Sequence, residues 1–341
     1  MSPSLEQNNM SVITPPNIVR TAYAELIVTD LERSRWFWVE MLGFVITAED
    51  ADALYLRGYE ELSHHSLVLR KGKTAANACI AFRVWADNDI DIAAAWYSEK
   101  GCRVEHRGAG STRGIGRCVR VEDPFGFTVE FFNQSDKAER LLQRFDLYRG
   151  AAIARIDHFN ICVNNPQSAF DFYTSLGFRC SETIEDDERL YASWMYRKPS
   201  VHDIATTGGA SPRLHHIGFF TPESQNILRI CDAFGALNQQ KHIERGPGRH
   251  GVSNAFYVYL RDPDGHRIEI YTSDYFTGDP DHETYRWSVA DMRRRDFWGA
   301  AVVPSWYAEA SSVLNLDGQV VPSSELTVQP SEAVVGADGF R

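Results

Sequence analysis

The sequence has no run of eighteen apolar residues, and its opening, MSPSLEQNNMSVITPP, has no basic stretch leading into an apolar one. The expectation is a cytoplasmic protein with no spanning helix and no secretory leader. Cysteine is sparse: Cys79, Cys102, Cys118, Cys162, Cys180 and Cys231 lie far apart with no CxxC pair. That spacing argues against a structural zinc or a disulfide framework and predicts buried thiols. Positive charge is also short, 35 Lys+Arg against 46 Asp+Glu for a net −11, and the longest basic cluster is Arg293-Arg294-Arg295. A nucleic-acid or anionic-membrane partner is therefore excluded. What the chain does have is 43% hydrophobic and 12% aromatic residues over 341 positions, enough for two packed domains. The partner this leaves is a small molecule.

An internal repeat organises the chain. Residues 24–47 (AELIVTDLERSRWFWVEMLGFVIT) and 159–180 (FNICVNNPQSAFDFYTSLGFRC) both read as strand, cap, amphipathic helix, then Leu-Gly-Phe opening a further strand. Asp30 is placed to cap the first helix, and Asn165 followed by Pro166 to start the second. Leu31, Phe37 and Leu42, and then Ala169, Phe170, Tyr173 and Leu176, fall on one helical face. Gly43 and Gly177 end the helices.

Each half repeats the pattern: a strand at 79–84 precedes a helix at 89–100, and one at 214–220 precedes a helix at 222–234 with Thr221-Pro222 at its start. Each half closes with a hairpin, CVRVEDPFGFTVEFF and FYVYLRDPDGHRIEIY, whose Pro and Gly suit a type I turn. The prediction is an α+β fold of tandem βαβββ modules, two per domain. Residues 1–150 and 151–280 form the two domains, and residues 281–341 an arm that packs back over one half.

Packing residues should recur in both copies of a duplication, so residues kept in one copy need another reason. Of eleven histidines, only His64, His65 and His106 precede residue 150. Strand alternation puts His158 on a face with Ile156 and Asn160, and His216 with Leu214 and Gly218. Glu269 shares its face with Arg267 and Tyr271, opposite Tyr257 or Tyr259. By the same alternation only one of His215 and His216 can point inward. If these strands curl into one sheet, His158, His216 and Glu269 meet as two imidazoles and one carboxylate. That is the facial-triad ligand set, which leaves three adjacent octahedral positions open. The first half offers Tyr23, Cys79 and Glu130 at the matching places and is expected to hold no metal.

The stretches ARIDHFN, VHDIATTGG, LHHIGF, ERGPGRHGVSNAFYVYLRDPDGHRIEIYT and MRRRDFWG resemble the type I extradiol catechol dioxygenases of the vicinal oxygen chelate superfamily, and the likeness covers both repeats and the tail. The resemblance implies Fe(II), or Mn(II), held by His158, His216 and Glu269. It implies an acid/base role for His202, with Tyr259 and His250 as further catalytic groups and Asn160 beside substrate and oxygen. Trp194, Arg245, Arg294 and Arg295 match substrate-pocket positions, and a guanidinium cluster suits a carboxylated catechol of the 3,4-dihydroxyphenylacetate type. The expected reaction takes O2 and a catechol to a muconic semialdehyde; the family also implies a homotetramer.

His202 corresponds to His65 by the repeat, so its role rests mainly on the resemblance. Gly246-x-Gly248-x-x-Gly251 matches a dinucleotide fingerprint, but a strand follows it where that motif needs a helix. These glycines are read instead as a loop presenting Arg249 and His250 to the pocket. A dioxygenase for another catechol, a glyoxalase-like metal isomerase and a metal-free binding module on the same fold are the alternatives the residues leave open.

Overall fold

The computed structural model describes residues 14–324. The first half runs β1 (Ile18–Val28), a helix from Leu31 to Met41 (α1), β2 (Val45–Glu49), β3 (Ala53–Arg57), β4 (Leu67–Lys71), β5 (Ala76–Val84), α2 (Asp89–Glu99), β6 (Val104–Arg107), β7 (Cys118–Glu122) and β8 (Thr128–Phe132). The second half repeats it: β9 (Arg155–Val163), α3 (Pro166–Ser175), β10 (Arg179–Glu185), β11 (Leu190–Tyr196), β12 (Ile204–Gly208), β13 (Arg213–Phe220), α4 (Ser224–Ala236), β14 (Ile243–Arg249), β15 (Phe256–Arg261) and β16 (Arg267–Thr272). The arm adds β17 (Tyr285–Ser288), β18 (Trp298–Gly299) and a single turn, α5 (Ser305–Ala308). Its residues 325–341 lie outside the described residues, as does most of the opening segment.

The first sheet is ordered β2-β3-β4-β1-β5-β8-β7-β6, and the same order, eight strands on, recurs in the second. The second sheet gains β17 beside β10 and β18 beside β14, so the arm covers both of its edges. The arm reaches the first half as well: Val313 bridges Asn77, Thr128 Oγ1 donates to the Leu314 carbonyl at 2.8 Å, and Arg103 pairs with Asp317. It thus straps both halves rather than one.

Local chemistry explains the boundaries. Asp30 accepts the N–H groups of Glu32 and Arg33, and Asn165 that of Ser168, satisfying donors a helix leaves open. At the two hairpins Asp123 and Asp262 accept the backbone N–H groups two and four residues on, which closes both turns in the same way.

Three expectations are corrected here. The first helix is α-helical only through Arg35, and from Trp36 to Met41 it widens into a π-helix, burying Phe37, Trp38 and Met41. The wider turn brings Trp38 inward, where its indole N–H lies 3.3 Å from Asp262 of the second half. The helix after Pro222 begins at Ser224 with Glu223 at its cap position, while the Thr221 hydroxyl donates to the Ala151 carbonyl at 2.8 Å and accepts from the Asn226 side chain at 2.9 Å. Of the six thiols, Cys102, Cys180 and Cys231 are only partly buried.

One apolar cluster runs through both halves. Phe219 meets Phe44 edge-on at 4.9 Å and Phe82 meets Phe159 at 5.9 Å, contacts worth about 0.5–1.5 kcal/mol each beyond burial. This shared core fixes the second sheet, and hence the site, against the first half.

Candidate metal centre

Three adjacent strands supply the cluster. Gly218 on β13 pairs with His158 on β9 on one side and with Glu269 on β16 on the other. The row continues through Tyr259 on β15 to Arg245 on β14, and His216 lies two residues from Gly218. A side chain at 218 would occupy the space of the His158 ring, so glycine is what lets His158 lean over β13 toward Glu269.

His158 Nε2 lies 3.0 Å from Glu269 Oε2, His216 Nε2 lies 3.4 Å from the same oxygen, and the two nitrogens are 3.3 Å apart. Adjacent octahedral ligands on bonds of about 2.1 Å are separated by roughly 3.0 Å, so the spacing fits one divalent ion. Among the described residues these three form the convergent metal-ligating group.

The hydrogen bonds behind the imidazoles determine which nitrogens face the centre. The Trp306 carbonyl can only accept, so His215 Nε2, 3.0 Å away, carries the proton. Burial holds His215 well below its ordinary pKa, so it is neutral and its Nδ1 accepts. His216 Nδ1, 2.7 Å off, therefore donates, and His216 Nε2 is left with a lone pair. His158 Nδ1 likewise faces the Asp157 carboxylate at 3.1 Å, aiming Nε2 inward. Burial would raise Glu269, but the facing His158 and His216 outweigh it and hold the carboxyl well below the usual range. Burial brings His216 down to about 4.

Beside this group lies a cavity of about 140 Å³ lined by Asn160, Trp194, His202, Arg245, His250, Tyr259, Arg294 and Arg295, so every predicted pocket residue reaches it. The His202 ring lies 3.9 Å from that of His158. Burial, and then His158, push the His202 pKa well below the usual value. His250 Nε2 is 3.0 Å from the Tyr259 hydroxyl, and burial, with Arg245 nearby, takes His250 down to about 4. Asn160 Oδ1 accepts from Thr207 at 3.1 Å. Arg245 lies over the Trp306 ring and is paired with Asp296. Burial, and then Arg295, bring Arg294 down to about 10.

Two sequence readings are overturned. His215 and His216 both line the cavity, because a bulge between Leu214 and His216 breaks the alternation and turns Leu214 into the core. Arg249 does not line the cavity; it bonds the Asn254 carbonyl, while the glycine-rich run belongs to strand β14 and, of the two residues, only His250 enters the site. Trp306 and Tyr307 of the arm also line the cavity, and no periodicity in the tail could have announced them.

In the first half the same row reads Tyr23, Ala81, Glu130, Arg120. Tyr23 bonds Glu130 at 2.5 Å, and the Arg120 guanidinium lies 2.7 Å from Glu130 and 3.1 Å from Glu25. A side-chain cation, carried from the position of Tyr259, sits beside the carboxylate equivalent to Glu269.

Residues 19–131 and 155–270 each match the model of the Glyoxalase/Bleomycin resistance protein/Dioxygenase superfamily, and the chain belongs to that superfamily. Within it the chain groups with the extradiol catechol dioxygenases. It is 31% identical to a manganese-dependent 2,3-dihydroxybiphenyl 1,2-dioxygenase from Geobacillus genomosp. 3, over 82% of this chain and 93% of that one. Among solved structures it is similar to homoprotocatechuate 2,3-dioxygenase from Brevibacterium fuscum in an anaerobic complex with 3,4-dihydroxyphenylacetate (54% identity, TM-score 0.91, 92% of this chain and 98% of that one). The Arthrobacter globiformis enzyme of that name is 55% identical with a TM-score of 0.90, over 92% and 97% of the two chains.

Proposed function

We propose that this chain is a 3,4-dihydroxyphenylacetate 2,3-dioxygenase, opening the ring beside the diol to give 5-carboxymethyl-2-hydroxymuconate semialdehyde, with Fe(II) or Mn(II) held by His158, His216 and Glu269. The observation that carries it is the set of three ligand atoms 3.0–3.4 Å apart at the wall of a cavity that Arg245, Arg294 and Arg295 also line. A carboxylated catechol fits that polarity: its diol faces the ligand group and its carboxylate the guanidinium cluster. When bound, the ion supplies a common site for diol and O2 and a path for electrons between them, chemistry no side chain offers.

The residues around it handle protons and charge. His202, kept neutral by burial, accepts a catechol proton and can return it to the oxygen-derived product. Tyr259 is the hydrogen-bond donor where negative charge develops, and His250, whose Nδ1–H is given to the Arg295 carbonyl, holds the Tyr259 hydroxyl through Nε2. Trp194 and Trp306 help to wall the cavity. In this reading residues 151–280 are the metal-binding domain, 1–150 its metal-free counterpart and 281–341 the covering arm. No helix of the described residues is long and apolar enough to cross a membrane, and we place the protein in the cytoplasm as a homotetramer.

The test is direct. Protein loaded with Fe(II) or Mn(II) is mixed with 3,4-dihydroxyphenylacetate, and oxygen uptake is followed together with the yellow ring-opened product. Faster turnover than with catechol or 2,3-dihydroxybiphenyl is expected; no uptake with any catechol would return the choice to a metal isomerase or a binding protein.

A further inference from the structure

No described residue before Asn160 lines the cavity, yet the first half is bonded to the segment that carries His202. That segment, residues 197–203, links β11 to β12. His202 Nδ1 has no hydrogen-bond partner among the described residues, so the direction of the ring depends on its packing and on how the turn's backbone is held. Asp203, fully buried, holds it: Oδ2 accepts the N–H groups of Arg197 at 2.6 Å and Lys198 at 3.0 Å. Its Oδ1 accepts the N–H of Thr21 on β1 at 2.7 Å, and the Thr21 hydroxyl donates to the Asp203 carbonyl at 2.7 Å. Arg197 is tied to the same strand through the Ile18 carbonyl at 2.8 Å.

Lys198 continues the chain of contacts. Its ammonium donates to the His202 carbonyl and, at 2.8 Å, to the Asp157 carbonyl, and it lies 3.2 Å from Asp203 Oδ1 and 3.6 Å from Asp157 Oδ1. Asp157 faces His158 Nδ1. Two buried carboxylates around one ammonium act as a unit, because loss of any member leaves an unpaired buried charge.

We propose that Thr21, Asp203 and Lys198 are positioning residues: the first half grips the turn that aims His202 and, through Lys198 and Asp157, steadies the metal ligand His158. The inference rests on the functional reading above for what His202 and His158 do. It gives the metal-free half a part in the reaction without placing any of its atoms in the cavity.

The test has two arms. Thr21→Val keeps the shape and the backbone N–H but removes the hydroxyl. It should lower kcat about tenfold, as a slight misplacement of a catalytic group does, with KM and metal affinity unchanged, and Thr21→Ser should restore the rate. Lys198→Met should weaken metal binding to the apo chain about 10–100-fold in chelator competition, the usual cost of losing support behind a ligand. Lys198→Arg replaces it in the same assay if the Met variant does not fold, and weaker binding is again expected. Parental kcat in Thr21→Val, a Thr21→Ser variant no faster than the Val variant, or parental metal affinity in the folded Lys198 variant overturns the proposal. If the parent consumes no oxygen with any catechol, the functional reading fails, while the chelator arm still reports on the coupling to His158.

Discussion

Gly218→Ala tests the metal centre with one methyl group. A Cβ at this position would lie 2.1 Å from His158 Cε1 and 2.3 Å from Nε2, whereas ordinary contact begins near 3.4 Å. The ring must therefore withdraw by the difference, about 1.3 Å, and metal–ligand distances tolerate only about 0.2 Å. Gly218 is not in the left-handed region, so alanine costs nothing in backbone conformation and the effect is purely steric. The expected outcome is a folded protein, destabilised by about 1–3 kcal/mol of overpacking, with metal affinity lowered by more than about 100-fold, beyond what loss of a ligand's supporting hydrogen bond brings. Metal content after dialysis, chelator competition and melting midpoint measure both parts. Gly209→Ala is the control: it lines the same cavity, but its added Cβ meets only Cys162 at 3.4 and 3.5 Å, so metal binding should match the parent. A Gly218→Ala protein with a full metal complement at parental affinity would refute the assignment of His158 as a ligand.

Four further outcomes are expected. Arg295→Ala should erode the preference for the carboxylated substrate over plain catechol by about 10–100-fold in kcat/KM, the worth of a charged hydrogen bond, and equal losses for both substrates would contradict a carboxylate contact. His202→Phe should retain metal but slow oxygen-dependent turnover by about 10²–10⁴-fold, and a parental rate would remove its proton role. Asp123 is pushed up to about 7 by burial, against the pull of the turn's N–H groups. The folded chain then holds a proton that an unfolded carboxyl releases near pH 4. Its contribution to stability is complete below that pH and is lost as pH rises through about 7, on the order of 3 kcal/mol between pH 5 and pH 8. Asp123→Asn should flatten the pH dependence of the urea midpoint, and an unchanged dependence would refute the argument. Arg120→Met should cost about 3–5 kcal/mol by stranding the buried Glu130 carboxylate, while Glu25 keeps its pair with Arg70 and metal stoichiometry stays at that of the parent; near-parental stability would show the guanidinium to be dispensable.

The architecture was legible because two copies of one pattern check each other: caps at Asp30 and Asn165, stops at Gly43 and Gly177, and twin Asp-Pro-x-Gly turns. The convergence of His158, His216 and Glu269 was legible for the converse reason, since the two histidines replace Tyr23 and Cys79. Local regularity misled where the backbone departs from it. Strict alternation excluded His215, which a bulge turns inward, and helical periodicity could not foresee the π-turn that buries Trp38. Other features have no local signature at all. Trp306 arrives on an irregular arm, and the bonds from Thr21 to Asp203 span 182 residues.

The Arg120 guanidinium has a consequence for how such a chain meets a fluctuating supply of metal. A charge tethered to the polypeptide cannot be scavenged by a chelator or displaced by a competing ion. The copy that carries it assembles the same way in scarcity and in plenty.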